Sequence, residues 1–220
     1  MAWFLRFTRF VSVHAVYAQE NENSCGIASV IMVNFKLKKD LILSAASTAS
    51  IPYVGPAIAK KLTGAALDSA IAAEKEVYKI YGNVSGKTYD GSVYTFADEL
   101  AKTLNKLGIG NWEAKFVGET SVAQAVLDSV TKEVPIIMLT NWDVGGGHFV
   151  VCDEVNGSDP SYASVCDPWD GDVHVVKFKK GETFRYLAEK QLLSWDIGGI
   201  RHEYATASGG KMNGWVVRQV

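Results

Sequence analysis

Cysteine is scarce in this chain, with three thiols in 220 residues, at positions 25, 152 and 166, and no C-x-x-C spacing. That excludes a disulfide framework and a cysteine-rich zinc site, and it leaves one thiol over even if Cys152 and Cys166 pair. An excess of one charge is also missing. The 22 Lys and Arg face 24 Asp and Glu at pI near 6.1, so no electrostatic footprint for nucleic acid is expected. There is no uninterrupted apolar run of about 20 residues. The nearest, Leu41 to Ala59, is uncharged but broken by Pro52, Gly55 and Pro56, which argues against a membrane span. A signal peptide is not expected either. Arg6, Arg9 and His14 interrupt the apolar stretch that should precede Val16-Tyr17-Ala18, and the alternation from Arg6 to Val16 reads as a strand instead.

The chain does have apolar content: 48% hydrophobic residues over 220 positions suffice for a substantial core, and 1–220 reads as one domain. The period of the pattern changes along it. Gly26 to Lys36 is apolar nearly all round, as a buried central helix would be, and Lys38-Lys39-Asp40 marks its exit. Leu41 to Ala57 reads as a packed connection, followed by a helix from Pro56 through Ile80 that Gly82 ends. Ser92 or Thr95 is placed to cap a helix with Phe96, Leu100, Leu104 and Leu107 on one face, and Gly108 stops it. Trp112 to Val117 reads as a strand, and Ser121 caps a further helix to Val130.

From Pro135 the period becomes that of sheet. Pro135–Thr140, His148–Cys152, Tyr162–Cys166 and Val173–Phe178 are short runs rich in β-branched residues, separated by Gly, Asp and Asn turns, and such short links favour antiparallel pairing. A helix over Gly181–Leu193 and a last strand over Gly214–Val220 complete the reading. The expected class is α+β, with a helical half at about 1–131 and an antiparallel β-sheet half at about 132–220.

One stretch carries a chemical signal. In Gln19-Glu20-Asn21-Glu22-Asn23-Ser24-Cys25-Gly26 a polar loop runs into the central helix, so Cys25 stands where the helix begins. Unpaired backbone N–H groups and the positive end of the helix dipole favour a thiolate there. Gln19, six residues upstream, is near enough to fold its amide back as a donor to a developing oxyanion. Taken alone, however, a thiol opening a core helix is more often structural. His148 follows Gly145-Gly146-Gly147 and opens a strand, while Asp167 closes the next. If those strands are neighbours, the two residues emerge together at one edge as base and orienter, and Cys25 adds the nucleophile that acyl transfer needs.

Gln19, Cys25-Gly26, Gly147-His148-Phe149-Val150-Val151 and Asp167-Pro168-Trp169-Asp170-Gly171 resemble the landmarks of papain-like cysteine peptidases. They are most similar to the bacteriocin-leader-processing peptidases and the papain-like effector proteases of bacteria. The resemblance implies a papain-like fold and a thiol peptidase in which Cys25 attacks, His148 is general acid and base, Asp167 orients it and Gln19 serves the oxyanion. It implies a protein or peptide substrate. No cofactor is expected, and a metal on Cys25, His148 and Asp167 would need a fourth ligand or water and a closer spacing. The resemblance covers the two ends of the chain and leaves Leu41 to Thr131 without a likeness. Papain's Cys-Trp is Cys25-Gly26 here, and its asparagine is Asp167.

Other readings coexist with this one. The same groups serve an amidase or deamidase, and a papain-like fold can also act as a non-catalytic interaction protein. Gly147, Trp142 and Trp169 flank the site as candidate substrate-binding residues, with core packing an equal reading for the two tryptophans. Cys152, on the same side of its strand as His148, is an alternative nucleophile, but at about 13 Å along the strand it does not touch that imidazole easily, and buried thiol is the better reading for it and for Cys166. His14 reads as a half-exposed strand residue, His174 as a packed one and His202 as a surface one.

Overall fold

The computed structural model describes residues 3–8, 10, 12–46, 76–88, 93–143, 145–157, 161–187 and 209–220. Among these residues the fold is mixed α+β, with four helices and an antiparallel sheet. A hairpin of β1 (Trp3–Phe7) and β2 (Val13–Tyr17) leads into α1 (Cys25–Ala46). Residues 76–85 form α2, followed by α3 (Ala97–Lys106), β3 (Trp112–Phe116) and α4 (Val122–Val130). The remaining strands are β4 (Ile136–Trp142), β5 (Gly147–Asn156), β6 (Ser161–Asp167), β7 (Asp172–Phe178), β8 (Arg185–Leu187) and β9 (Gly209–Gln219). The large sheet runs β3-β9-β4-β5-β6-β7, with β8 also pairing with β9, and every pairing is antiparallel.

Helices cover both faces of this sheet, which is why its central strands read as continuous apolar runs rather than as an in-out alternation. On one face Phe149, Val151, Cys166 and Val173 pack with Ile27, Ile31 and Val33 of α1 and Leu100 and Leu104 of α3. On the other, Val150, Cys152, Ala163 and Val165 meet Val122 and Val126 of α4. α1 is enclosed along its first turns, and each of Ile27, Ile31 and Met32 contributes about 1.5–3 kcal/mol by burial. No described helix is long and apolar enough to cross a membrane.

Several expectations need correction. The segment read as one N-terminal strand is a hairpin, turned between Phe7 and Val13, with Thr8 N–H donating to Ser12 O at 3.1 Å. The central helix continues past Lys36 to Ala46, so the first part of the expected 41–57 connection is helical. α2 runs past Gly82 to residue 85, and most of the helix expected from Pro56 lies outside the described residues. Phe96 does not share the buried face of Leu100 and Leu104. It precedes α3 in an extended conformation, φ −119°, and projects 51% exposed because the helical period has not yet begun. Neither α3 nor α4 has a side-chain cap.

Of the helix expected over Gly181–Leu193, residues 181–184 are turn and irregular chain and Arg185–Leu187 are strand β8, and the rest lies outside the described residues. Phe184 and Tyr186 are buried and Arg185 is exposed, a period of two that only pairing with β9 makes plain. His14 is buried rather than half-exposed. The β5–β6 register shifts between Cys152 and Glu154, and Asp153 in that irregularity places its carboxylate oxygens 3.0 Å from His14 Nδ1. A bulge re-aims the side chain it carries. His202 lies outside the described residues.

Candidate active site

Backbone turns fix where Cys25 begins α1. Ser24 Oγ donates to Asn21 O at 2.8 Å and accepts from Asn21 N–H at 3.1 Å, and Ala28 N–H already donates to Ser24 O at 2.9 Å. Cys25 is thus the first helical residue, 8% exposed at the edge of the core. Gly26 must lack a side chain, since a Cβ there would meet Thr95 Oγ1 at 2.1 Å and Leu100 Cδ1 at 3.0 Å. The Cys-Gly pair therefore lets the loop before α3 close against the start of α1.

His148 is presented by a tight turn in which Gly145 (φ 100°) and Gly146 (φ 83°) adopt left-handed conformations that suit glycine. Trp142 N–H and Gly146 O close it at 2.9 Å. Val151 pairs with Cys166, so continuing that register by one residue sets Asp167 opposite Val150 and makes His148 and Asp167 a diagonal pair on one face. His148 Nε2 is 2.6 Å from Asp167 Oδ1. Nε2 is so engaged, and the Cys25 sulfur lies near enough to the ring to add to its basicity.

The imidazole is sealed from water, and burial by itself opposes its charge. The Asp167 carboxylate, helped by the sulfur, outweighs that penalty and pushes His148 up to about 10. Trp142 stacks on the His148 ring, with centroids 4.4 Å apart and planes at 23°, and Trp169 meets Trp142 edge-on at 4.9 Å. Trp142 walls the imidazole and Trp169 backs Trp142, and neither is among the residues that line the neighbouring cleft. Asp167 is also anchored through its other contacts. Trp169 N–H donates to Oδ1 at 2.8 Å, and the Tyr186 hydroxyl donates to Oδ2.

Gln19 is buried in the loop before Cys25, and its backbone N–H donates to Pro168 O at 2.7 Å, tying the cysteine loop to the turn after Asp167. Its side-chain nitrogen donates to Asn21 O at 2.7 Å and Glu22 O at 3.0 Å. Oε1 is enclosed without a hydrogen-bond partner among the described residues. The structure thus brings Cys25, His148 and Asp167 together. It directs the Gln19 donors into the loop rather than toward the sulfur.

A cleft of about 430 Å³ opens beside Cys25, between the segment before α3 and the sheet. Gly147 lines it, as expected. Tyr94, Phe96 and Trp215, all more than a third exposed, line it too, with Leu139 and Phe149 behind them. Sequence reasoning missed these aromatic walls because nothing in the spacing of 94, 96 and 215 links them. It missed Tyr186 because the segment read as helix.

Among the described residues, two groups place metal-ligating atoms close together: His14, Asp153 and Cys166, and Asp167, Asp170 and His174. Their atoms have internal partners. The Lys36 ammonium bonds Asp153 and lies 3.7 Å from Cys166 Sγ, a cation already supplied by the chain. Asp170 Oδ2 is 2.8 Å from His174 Nε2. Cys152 and Cys166 are fully buried, and burial first, then the Asp153 charge, pushes both thiols up.

Compared with known proteins, the chain matches no protein-family model and no curated protein.

Proposed function

We propose that this chain is a papain-like cysteine hydrolase that cleaves peptide or isopeptide amides. The observation that carries the reading is one buried imidazole joining a thiol at a helix N-terminus to an aspartate 2.6 Å away. The Cys25 sulfur attacks the carbonyl carbon, and the oxygen takes the charge. The Cys25 backbone N–H, which has no intrahelical partner by position, donates to that oxygen. Protonated His148 gives its proton to the leaving nitrogen as the C–N bond breaks, leaving a thioester on Cys25. Neutral His148 then takes a proton from water, whose oxygen displaces the sulfur and releases the acid. Asp167 holds the ring in the tautomer and orientation both steps use.

Gln19 serves the oxyanion in this reading by releasing its side-chain donors from Asn21 O and Glu22 O. The aromatic cleft suits a polypeptide that carries a bulky apolar side chain next to the scissile bond.

Iodoacetamide labelling followed by peptide mass mapping tests the reading. Near pH 6, Cys25 labels faster than Cys152 and Cys166, whose burial holds them as thiols. Equal, slow labelling of all three refutes it. Turnover of a peptide library by the parent, and its loss in Cys25→Ala, establishes amide cleavage.

A further inference from the structure

Asp167 is a junction with more on its far side than the Cys25–His148–Asp167 set needs. Oδ1 receives His148 and the Trp169 N–H, while Oδ2 receives the hydroxyl of Tyr186, a fully buried residue of β8. Behind the Tyr186 ring stands His174 of β7, with centroids 5.4 Å apart and planes at 68°. His174 Nε2 lies 2.8 Å from Asp170 Oδ2. Burial opposes a charge on His174, but Asp170, then Asp167 and Asp172, outweigh it and push the ring up to about 9. Asp172 meets Arg6 Nε of β1 at 3.4 Å, and that same nitrogen donates to Gly171 O at 2.8 Å.

Among the described residues, the carboxylates of Asp170 and Asp172 and the cations His174 and Arg6 converge behind Asp167, with His148 in front between Asp167 and Cys25. All but Asp170 are buried. An uncompensated charge in such surroundings is costly.

We propose that Tyr186 and His174 are positioning residues of the active site. Tyr186 clamps Asp167 in the orientation that receives His148, and His174, with Arg6, balances Asp170 and Asp172 behind it. This rests on the hydrolase reading of Cys25, His148 and Asp167, and it adds an outer layer to that site from β7 and β8.

Tyr186→Phe removes one oxygen and keeps the ring, and His174→Gln removes a charge and keeps a donor for Asp170. Each is followed by thermal melting and by the rate of Cys25 alkylation from pH 4 to 10. Tyr186→Phe loses a hydrogen bond to Asp167 and His174→Gln loses a neighbouring positive charge, so both loosen the hold of Asp167 on His148, and the acid limb of the labelling profile moves to higher pH. At pH 6 the Tyr186→Phe rate falls about tenfold or more, the scale of one charge-assisted hydrogen bond. The difference narrows above pH 8.

Variants that fold and label with the parental profile overturn the proposal. If only one folds, its profile decides. If neither folds, the network is structural, and the positioning role is overturned as well. A parent in which Cys25 labels no faster than the other thiols overturns the hydrolase reading, and the proposal with it.

Discussion

Lys36→Met tests how far the far end of β5 is held by charge rather than by packing. Lys36 is 11% exposed in its side chain and Asp153 12%, and the ammonium bonds the carboxylate directly. Asp153 also holds His14, which is 3% exposed, at 3.0 Å, so one carboxylate joins α1, the N-terminal hairpin and the sheet. Methionine replaces the lysine stem with apolar volume but leaves Asp153 a cation short. Removing one partner of a buried pair costs about 3–5 kcal/mol. For a chain of this size each kcal/mol is worth roughly 2–4 °C, so the melting temperature falls by about 6–20 °C.

Burial opposes the Lys36 charge, but Asp153 and Cys166 outweigh it, so Lys36 stays charged beyond its ordinary range. Its stabilisation is therefore complete below the unfolded value near 10.5 and is lost only as pH rises through the higher folded value. The Lys36→Met loss is then flat between about pH 5 and 9. His14 behaves differently. Burial opposes its charge, but Asp153 and Glu154 hold it protonated well above the usual range, so its contribution is full below about pH 6.5 and fades as pH rises from there. Urea denaturation of the parent, Lys36→Met and His14→Gln at pH 6 and 9 separates the two. A Lys36→Met loss under about 1 kcal/mol would refute the claim that this buried pair is held by charge. Cys25 alkylation is expected to be unchanged in Lys36→Met, because Asp153 lies about 16 Å along the strand from His148.

Two further outcomes are expected. Gln19→Ala slows peptide turnover while leaving Cys25 labelling by iodoacetamide within about twofold, as suits a group that acts on the oxyanion; loss of labelling instead assigns Gln19 to the loop contacts with Asn21 and Glu22. Gly26→Ala drives a Cβ against Thr95 and Leu100 and lowers stability in urea by about 1–3 kcal/mol, and a neutral effect refutes the tight closure of that loop.

The sequence by itself determined a good deal here. Local rules suffice to place Cys25 at a loop-to-helix junction, to turn the chain at Gly145 and Gly146 and to make His148–Cys152 and Tyr162–Cys166 consecutive antiparallel strands, which the structure lengthens to Gly147–Asn156 and Ser161–Asp167. Those rules put His148 and Asp167 at one edge, because a short link between strands leaves few alternatives to pairing. What only the tertiary structure decided depends on contacts between segments far apart in the chain. The return of Gly209–Lys211 makes 185–187 a strand and delivers Tyr186 to Asp167. A register shift at Asp153 buries His14 and recruits Lys36. The partners of the Gln19 amide are set by the fold of its own loop, and the aromatic cleft is assembled from 94, 96 and 215. Periodicity reports which face of an element is buried. It does not report which distant side chain supplies the hydrogen bond or the countercharge there, and in this protein those distant groups surround the site.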